Sequence, residues 1–275
     1  MSRDDMRGLS APLSSKLNTG VPHSARVWNY WMGGKSHYPV DRAAGDAFAE
    51  AFPDIFPMAS QGRAFLVRAV RYLAAEAGVR QFIDVGTGLP ADPKPNTHEV
   101  AQSVAPSARI LYVDNDPLVL VNARGLLRNT TDEGVVAYAE ANFQDPDLII
   151  SHAQAALNFT EPVAVMFMGV LGHVDTFAEM RSIVNTIMTA VPSGSYLVLW
   201  DSPDEDPRQV EAVTKYATTG AVPYRLRALP QLRECFEGLE LVEPGFVCIT
   251  SWRPDAVEVG TSQHLNAYGG VARKP

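Results

Sequence analysis

"QFIDVGTGLPAD", residues 81–92, decides the fold. An apolar run ends in the carboxylate Asp84, and two glycines, Gly86 and Gly88, follow with a threonine, Thr87, between them. This is the signature of a buried strand whose carboxyl end opens into a turn of bare backbone. Glycine has no Cβ, so the main chain there can approach a ligand closely. Reading downstream, "ARILYVDND" (108–116) is a second strand with Asp114 at its carboxyl end, 26 residues after Gly88. A carboxylate in that place can accept both hydroxyl hydrogens of a ribose, and its usual distance from the glycines is about 20 residues. The loop "LPADPKP" (89–95) delays the intervening helix and accounts for the excess. The pair of signals points to a nucleoside-containing ligand.

The rest of the chain repeats the alternation. "RQFIDVG" (80–86), "ARILYVDND", "GVVAYAEAN" (134–142), "PVAVMFMGVL" (162–171) and "GSYLVLWDS" (194–202) read as strands. Between and after them "NTHEVAQSVA" (96–105), "PLVLVNARGLLRN" (117–129), "PDLIISHAQAALN" (146–158) and "DTFAEMRSIVNTIMTAV" (175–191) read as helices. Asn96 and Glu99 have capping-box spacing, and Pro117 suits a first helical position. Further helical stretches fall near 205–218 and 229–237, and "LELVEPGFVCITSW" (239–252) reads as two β runs around a Pro-Gly turn, a hairpin. Such alternation gives a mostly parallel sheet covered on both faces, with the closing hairpin antiparallel. Upstream, residues 1–22 read as a mobile polar tail. Residues 23–78 form a helical extension, with a short helix over 25–32 ended by Gly33 and longer ones over 40–52 and 62–78. The nucleotide-binding domain then occupies 79–275.

Composition narrows the function classes. The 275 residues are 46% hydrophobic with a formal net charge of −8, which disfavours wholesale binding to nucleic-acid phosphates. No apolar stretch resembles a signal peptide or is long enough to span a bilayer, so the expectation is a soluble cytoplasmic protein without a membrane partner. Two cysteines, Cys235 and Cys248, suggest buried inert thiols.

A dinucleotide fingerprint would bring a helix N-terminus directly onto a pyrophosphate. Here Asp92, Pro93 and Pro95 intervene after Ala91, and Asp84 would repel that anion but suit a ligand carrying an amino group. A ribose, an ammonium and a sulfonium occur together in S-adenosylmethionine. The run "FIDVGTGLP…NTHEVAQ…ARILYVDNDPLVL" resembles the S-adenosylmethionine-dependent methyltransferases with a Rossmann-like sheet. More narrowly, "ARVWNYWMGGKSHYPVDR", "FLVRAVRYLAAEAGVRQFIDVGTGLP", "GLELVEPG" and "YGGVARKP" resemble an actinobacterial family of S-adenosyl methyltransferases first defined as a domain of unknown function, over residues 22–275. The resemblance implies a seven-stranded sheet with a final antiparallel strand. It places Asp84, Gly86 and Gly88 along the methionine part of the cofactor, Asp114 on the ribose, Asn115 beside the adenine, Asn142 or Phe143 on the adenine, and "MFMGVLGHV", with Met168 and Gly169, against cofactor and acceptor. It also makes the N-terminal extension a lid whose Arg26, Tyr30 and Gly33 help to close the site.

Other signals carry alternatives. "GGKS" (33–36) follows a helix and lacks the first glycine of a phosphate loop, since position 29 is Asn29. "HEVAQ" (98–102) has Gln102 where a zinc-protease helix needs its second histidine, so no metal is expected. His98 is either a cap-region residue or a contact to the cofactor carboxylate. His173 is either a general base for an acceptor hydroxyl or amine or a helix-start residue. His37, Tyr38 and Trp200 are acceptor-pocket or packing residues. The expected activity is transfer of a methyl group from S-adenosylmethionine, leaving S-adenosylhomocysteine, to a small molecule. The competing readings are a non-catalytic binder of the same cofactor and, more remotely, a nicotinamide-dependent oxidoreductase.

Overall fold

The computed structural model describes residues 18–91, 95–255 and 263–275. Most of the expected tail and the centre of the "ADPKP" loop, residues 92–94, lie outside the described residues. Three helices, α1 (Ser24–Trp31), α2 (Pro39–Ala51) and α3 (Ile55–Ala75), precede the sheet. Then come β1 (Gln81–Val85), α4 (Thr97–Val104), β2 (Arg109–Asp114), α5 (Pro117–Leu126), β3 (Val135–Glu140), α6 (Pro146–Ala156), β4 (Ala164–Met168), α7 (Phe177–Ala190) and β5 (Tyr196–Asp201). The chain ends with α8 (Pro207–Ala217), α9 (Leu229–Glu234), β6 (Glu240–Leu241), β7 (Val247–Cys248) and β8 (Tyr268–Arg273). No helix among the described residues is long and apolar enough to cross a membrane.

The strand order is β3-β2-β1-β4-β5-β8-β6, with β1 to β5 parallel and β8 antiparallel to β5. The antiparallel part differs in detail from a hairpin. The two runs either side of Pro244-Gly245 each pair with β8, Glu240 opposite Arg273 and Val247 opposite Gly269. They therefore share one lane on the edge of β8 away from β5, and the eight strands fill seven lanes. From β1 the order runs out through β2 and β3 on one side and through β4 and β5 on the other, so the switch point lies between β1 and β4.

Alternation along each strand sorts the core into two layers. Phe82, Ile110, Tyr112, Met166, Val198 and Trp200 face α1–α4 and α8, with Phe48, Phe65 and Leu73 packed over them. Ile83, Val85, Leu111, Val113, Phe167 and Leu199 face α6, α7 and α9. Asp84, at even spacing from Phe82, and Asp114, at even spacing from Tyr112, thus share the face covered by the N-terminal helices. Helix α3 starts at Ile55, seven residues before the periodicity alone suggests, because Pro57 is tolerated in a first turn. The capping box at Asn96 is formed, its N–H donating to Glu99 Oε2 at 2.6 Å, and Pro117 opens α5.

Candidate functional site

A cavity of about 410 Å³ opens at the carboxyl ends of the parallel strands, over the switch point. Asp84, Gly86, Thr87, Gly88, Asp114, Asn115, Asn142, Phe143, Met168, Gly169 and His173 all line it, although they come from four separate strand ends.

The turn after β1 is built to hold the two carboxylates. Gly86 and Gly88 both have φ of +68°, the left-handed region that favours glycine. That path lets the Gly86 N–H donate to the Val113 carbonyl at 2.8 Å and the Gly88 N–H donate to Asp114 Oδ2 at 2.9 Å. Asp114 Oδ1 accepts from the Asp116 N–H at 2.9 Å. Both oxygens are thereby anchored, and each keeps a lone pair. Burial pushes the Asp114 carboxyl above its ordinary range, against the pull of these backbone donors. Asp84 accepts from the Thr97 hydroxyl at 2.6 Å, and burial raises its carboxyl too, opposed by that bond and by the Arg63 guanidinium. Arg63, on α3, also lines the cavity; it donates to the Pro95 carbonyl at 3.1 Å and to Asn96 Oδ1 at 2.9 Å.

His173 sits in a short 3₁₀ turn after β4, its Nδ1 3.0 Å from the Pro223 carbonyl. A carbonyl only accepts, so Nδ1 carries the proton and the neutral ring keeps its lone pair on Nε2. Burial holds its pKa below the usual imidazole value, which favours that neutral form. The Tyr224 ring meets His173 edge-on at 5.1 Å, and its hydroxyl donates to Asp201 at the end of β5.

Asp201 is 1% exposed, and burial raises its carboxyl from an ordinary 3.8 to about 6. An acid shifted upward on folding favours the folded state in its neutral form. That contribution is complete below about 3.8 and is lost as pH rises through about 6. Between pH 5 and pH 8 the wild type should lose about 1 to 2 kcal/mol on this account. Asp201→Asn should not lose it. Urea unfolding of both proteins at the two pH values measures the difference, and parallel pH profiles would refute the assignment.

Four of the residues expected at the site lie off the cavity wall. Arg26 is buried against Asp41, with Nε 3.3 Å from Oδ1, and donates to the Val21 carbonyl at 2.7 Å. The Tyr30 hydroxyl donates to Asp46, and Gly33, with φ of +82°, terminates α1. His98 is 2% exposed, its ring Nδ1 2.8 Å from the Tyr112 hydroxyl. The reason at α1 is helical phase. Ser24, Ala25, Trp28, Trp31 and Met32 line the cavity, a stripe of i, i+4, i+7 spacing, and Arg26 and Tyr30 fall beside it. The Trp28–Trp31 pair, rather than the residues that the family resemblance suggested, marks the face of α1 that meets the cavity. Of the acceptor-pocket candidates, Trp200 lines the cavity, whereas His37 and Tyr38 do not. His23, Met58, Arg63 and Tyr224 also line it and carry no motif that the sequence makes visible. Cys235 and Cys248 are free and buried.

A family model described as S-adenosyl methyltransferase matches residues 10–275. The chain is 42% identical to a DUF574 family protein from Streptomyces avermitilis of known structure, with a TM-score of 0.87, covering 94% of this chain and 99% of that one. A Thermobifida fusca protein provisionally assigned as a methyltransferase is 35% identical, with a TM-score of 0.83, covering 92% of this chain and 95% of that one. In fold alone it is also similar to magnesium protoporphyrin IX methyltransferase from Synechocystis, solved with S-adenosylmethionine bound, at 10% identity and a TM-score of 0.50 over 90% of each chain. No curated protein matches the chain.

Proposed function

The chain belongs to the S-adenosyl methyltransferase family, and from that premise we propose how its residues serve an S-adenosylmethionine-dependent methyl transfer to a small molecule. The observation that carries the assignment is the pair Asp84 and Asp114, two anchored carboxylates on one cavity at the switch point. S-adenosylmethionine supplies a methyl group already activated on a sulfonium, so the protein's task is to align an acceptor and exclude water. Asp114 takes the ribose hydroxyls on its remaining lone pairs. Asp84 takes the amino group, and Arg63, close enough to act electrostatically on Asp84, takes the carboxylate of the same amino-acid end. Asn115, Asn142 and Phe143 border the adenine. Met168 and Gly169, at the end of β4, stand between cofactor and acceptor. Neutral His173 is one group on this wall able to receive a proton from an O–H or N–H acceptor.

Calorimetric titration with S-adenosylmethionine, S-adenosylhomocysteine and NAD is the direct test. Saturable binding of the first two and not of NAD supports the assignment; binding of NAD alone would return the oxidoreductase reading. Arg63 gives a sharper result. Arg63→Gln should weaken S-adenosylhomocysteine on the order of tenfold, the loss of one charge-assisted contact, and leave 5′-methylthioadenosine unchanged because it has no carboxylate. Equal weakening of both ligands would remove Arg63 from the amino-acid end.

A further inference from the structure

One part of the cavity wall is a chain of neighbouring rings. Trp200 lies 5.9 Å from Trp28, Trp28 lies 5.7 Å from Trp31, Trp31 lies 5.0 Å from Phe48, and Phe48 lies 6.1 Å from Tyr216. All five line the cavity, together with Met58, and none is formally charged. Trp200 is the fixed point of this wall. It is 2% exposed, at the end of β5 beside Met168, and its indole has been given room by two missing side chains. A Cβ at Gly62 or at Gly169 would stand 2.7 Å from Trp200 Cζ2. Yet the Trp200 indole N–H, for which the fold makes this place, is a buried donor without a partner among the described residues. An unpaired buried donor has given up its bond to water and gained nothing in return. A ligand that accepts from it recovers that loss.

We propose that this wall binds the methyl acceptor, and that the acceptor is an uncharged, planar aromatic molecule bearing an in-plane hydrogen-bond acceptor for Trp200 Nε1. The inference rests on the functional reading above and adds the substrate class. Flat rings pair with aromatic faces and edges at the spacings these side chains offer. A cation is disfavoured for two reasons. A cage for an ammonium needs aromatic faces turned toward a shared centre, whereas these rings touch one another, Trp28 and Trp31 edge to face at 78°. The only polar hydrogen offered by the wall's indole at β5 also carries positive character. Of the carboxylates nearby, Asp41 is paired with Arg26, Asp175 with Arg225, and Asp201 accepts from Tyr224 through one oxygen.

The test is calorimetric titration of the full-length protein, saturated with S-adenosylhomocysteine, with three probes of one shape. Quinoline has the acceptor nitrogen, naphthalene lacks it, and N-methylquinolinium replaces it with a cation. Quinoline should bind about tenfold more tightly than either of the others, and Trp200→Phe, which keeps a ring but not the N–H, should bring quinoline and naphthalene to equal affinity. Naphthalene matching quinoline in the wild type, N-methylquinolinium binding most tightly, or no probe binding to protein that binds S-adenosylhomocysteine would each overturn the proposal. Because the wild-type ratio is decisive alone, the result does not depend on the variant folding. Failure of S-adenosylhomocysteine itself to bind, with quinoline still preferred, would overturn the cofactor assignment of Asp84 and Asp114 and uphold the wall.

Discussion

Asp114→Ala is expected to weaken S-adenosylmethionine binding at least ~30-fold. Replacing the carboxylate removes a pair of charge-assisted hydrogen bonds to the ribose, worth about 2 kcal/mol together. It also releases the turn that forms the rest of the site. The Gly88 N–H and the Asp116 N–H each donate to a different oxygen of Asp114, so the carboxylate ties the turn after β1 to the loop after β2. Asp114→Asn is the informative companion. It keeps the shape but offers one oxygen where two are used, so it should lie between wild type and Ala, on the order of tenfold weaker. Asp116 meanwhile caps α5 through the Leu118 N–H at 2.8 Å, so the fold of that helix has its own support. Calorimetry with far-ultraviolet dichroism as a folding control decides the matter. Wild-type affinity in the Ala variant would mean the ribose sits elsewhere.

The second large effect is on stability. Trp252→Ala should destabilise the protein by about 3 to 5 kcal/mol, the range for emptying a buried large aromatic site. Trp252 is fully buried, meeting Phe65 at 5.5 Å and Tyr72 at 5.9 Å, both edge to face. Arg68, buried on α3, donates to the Trp252 carbonyl at 2.9 Å and to the Ile249 carbonyl at 2.6 Å, so the segment's backbone is fixed to the same helix. Trp252 is not part of the cavity wall, so cofactor affinity of the folded variant should be unchanged. Urea unfolding followed by dichroism measures the first point and titration below the transition the second. A loss under about 1 kcal/mol would mean that α3 and the sheet close over the gap.

Trp252 also illustrates where sequence reading stops. "VCITSW" has the alternation of a strand, yet only Val247 and Cys248 pair, and a 3₁₀ turn at Ile249–Ser251 swings the tryptophan under α3. The strand that fills the antiparallel lane is "YGGVAR", whose two glycines suppress any strand signal. Tertiary contact explains them. A Cβ at Gly269 would meet the Leu199 carbonyl at 2.6 Å and Trp200 Cα at 2.9 Å, and one at Gly270 would meet the Gly245 carbonyl at 3.2 Å. The strand is glycine-rich because it is packed tightly.

By itself, the sequence determined the five parallel strands, their crossover helices, the two carboxylates at the first two strand ends and the glycine turn between them. Each of these is local: periodicity, capping and turn chemistry act over a few residues, and the rules of parallel sheets then bring Asp84 and Asp114 to one edge. The tertiary structure alone decided which face of α1 looks inward, that Arg63 comes from α3 to stand by Asp84, and that Trp28, Trp31, Phe48, Trp200 and Tyr216 form one wall. Those residues belong to four separate elements, and their meeting depends on the angle at which α1–α3 and α8 lie across the sheet. That angle is set by the packing of many side chains at once, and no short stretch of the chain encodes it.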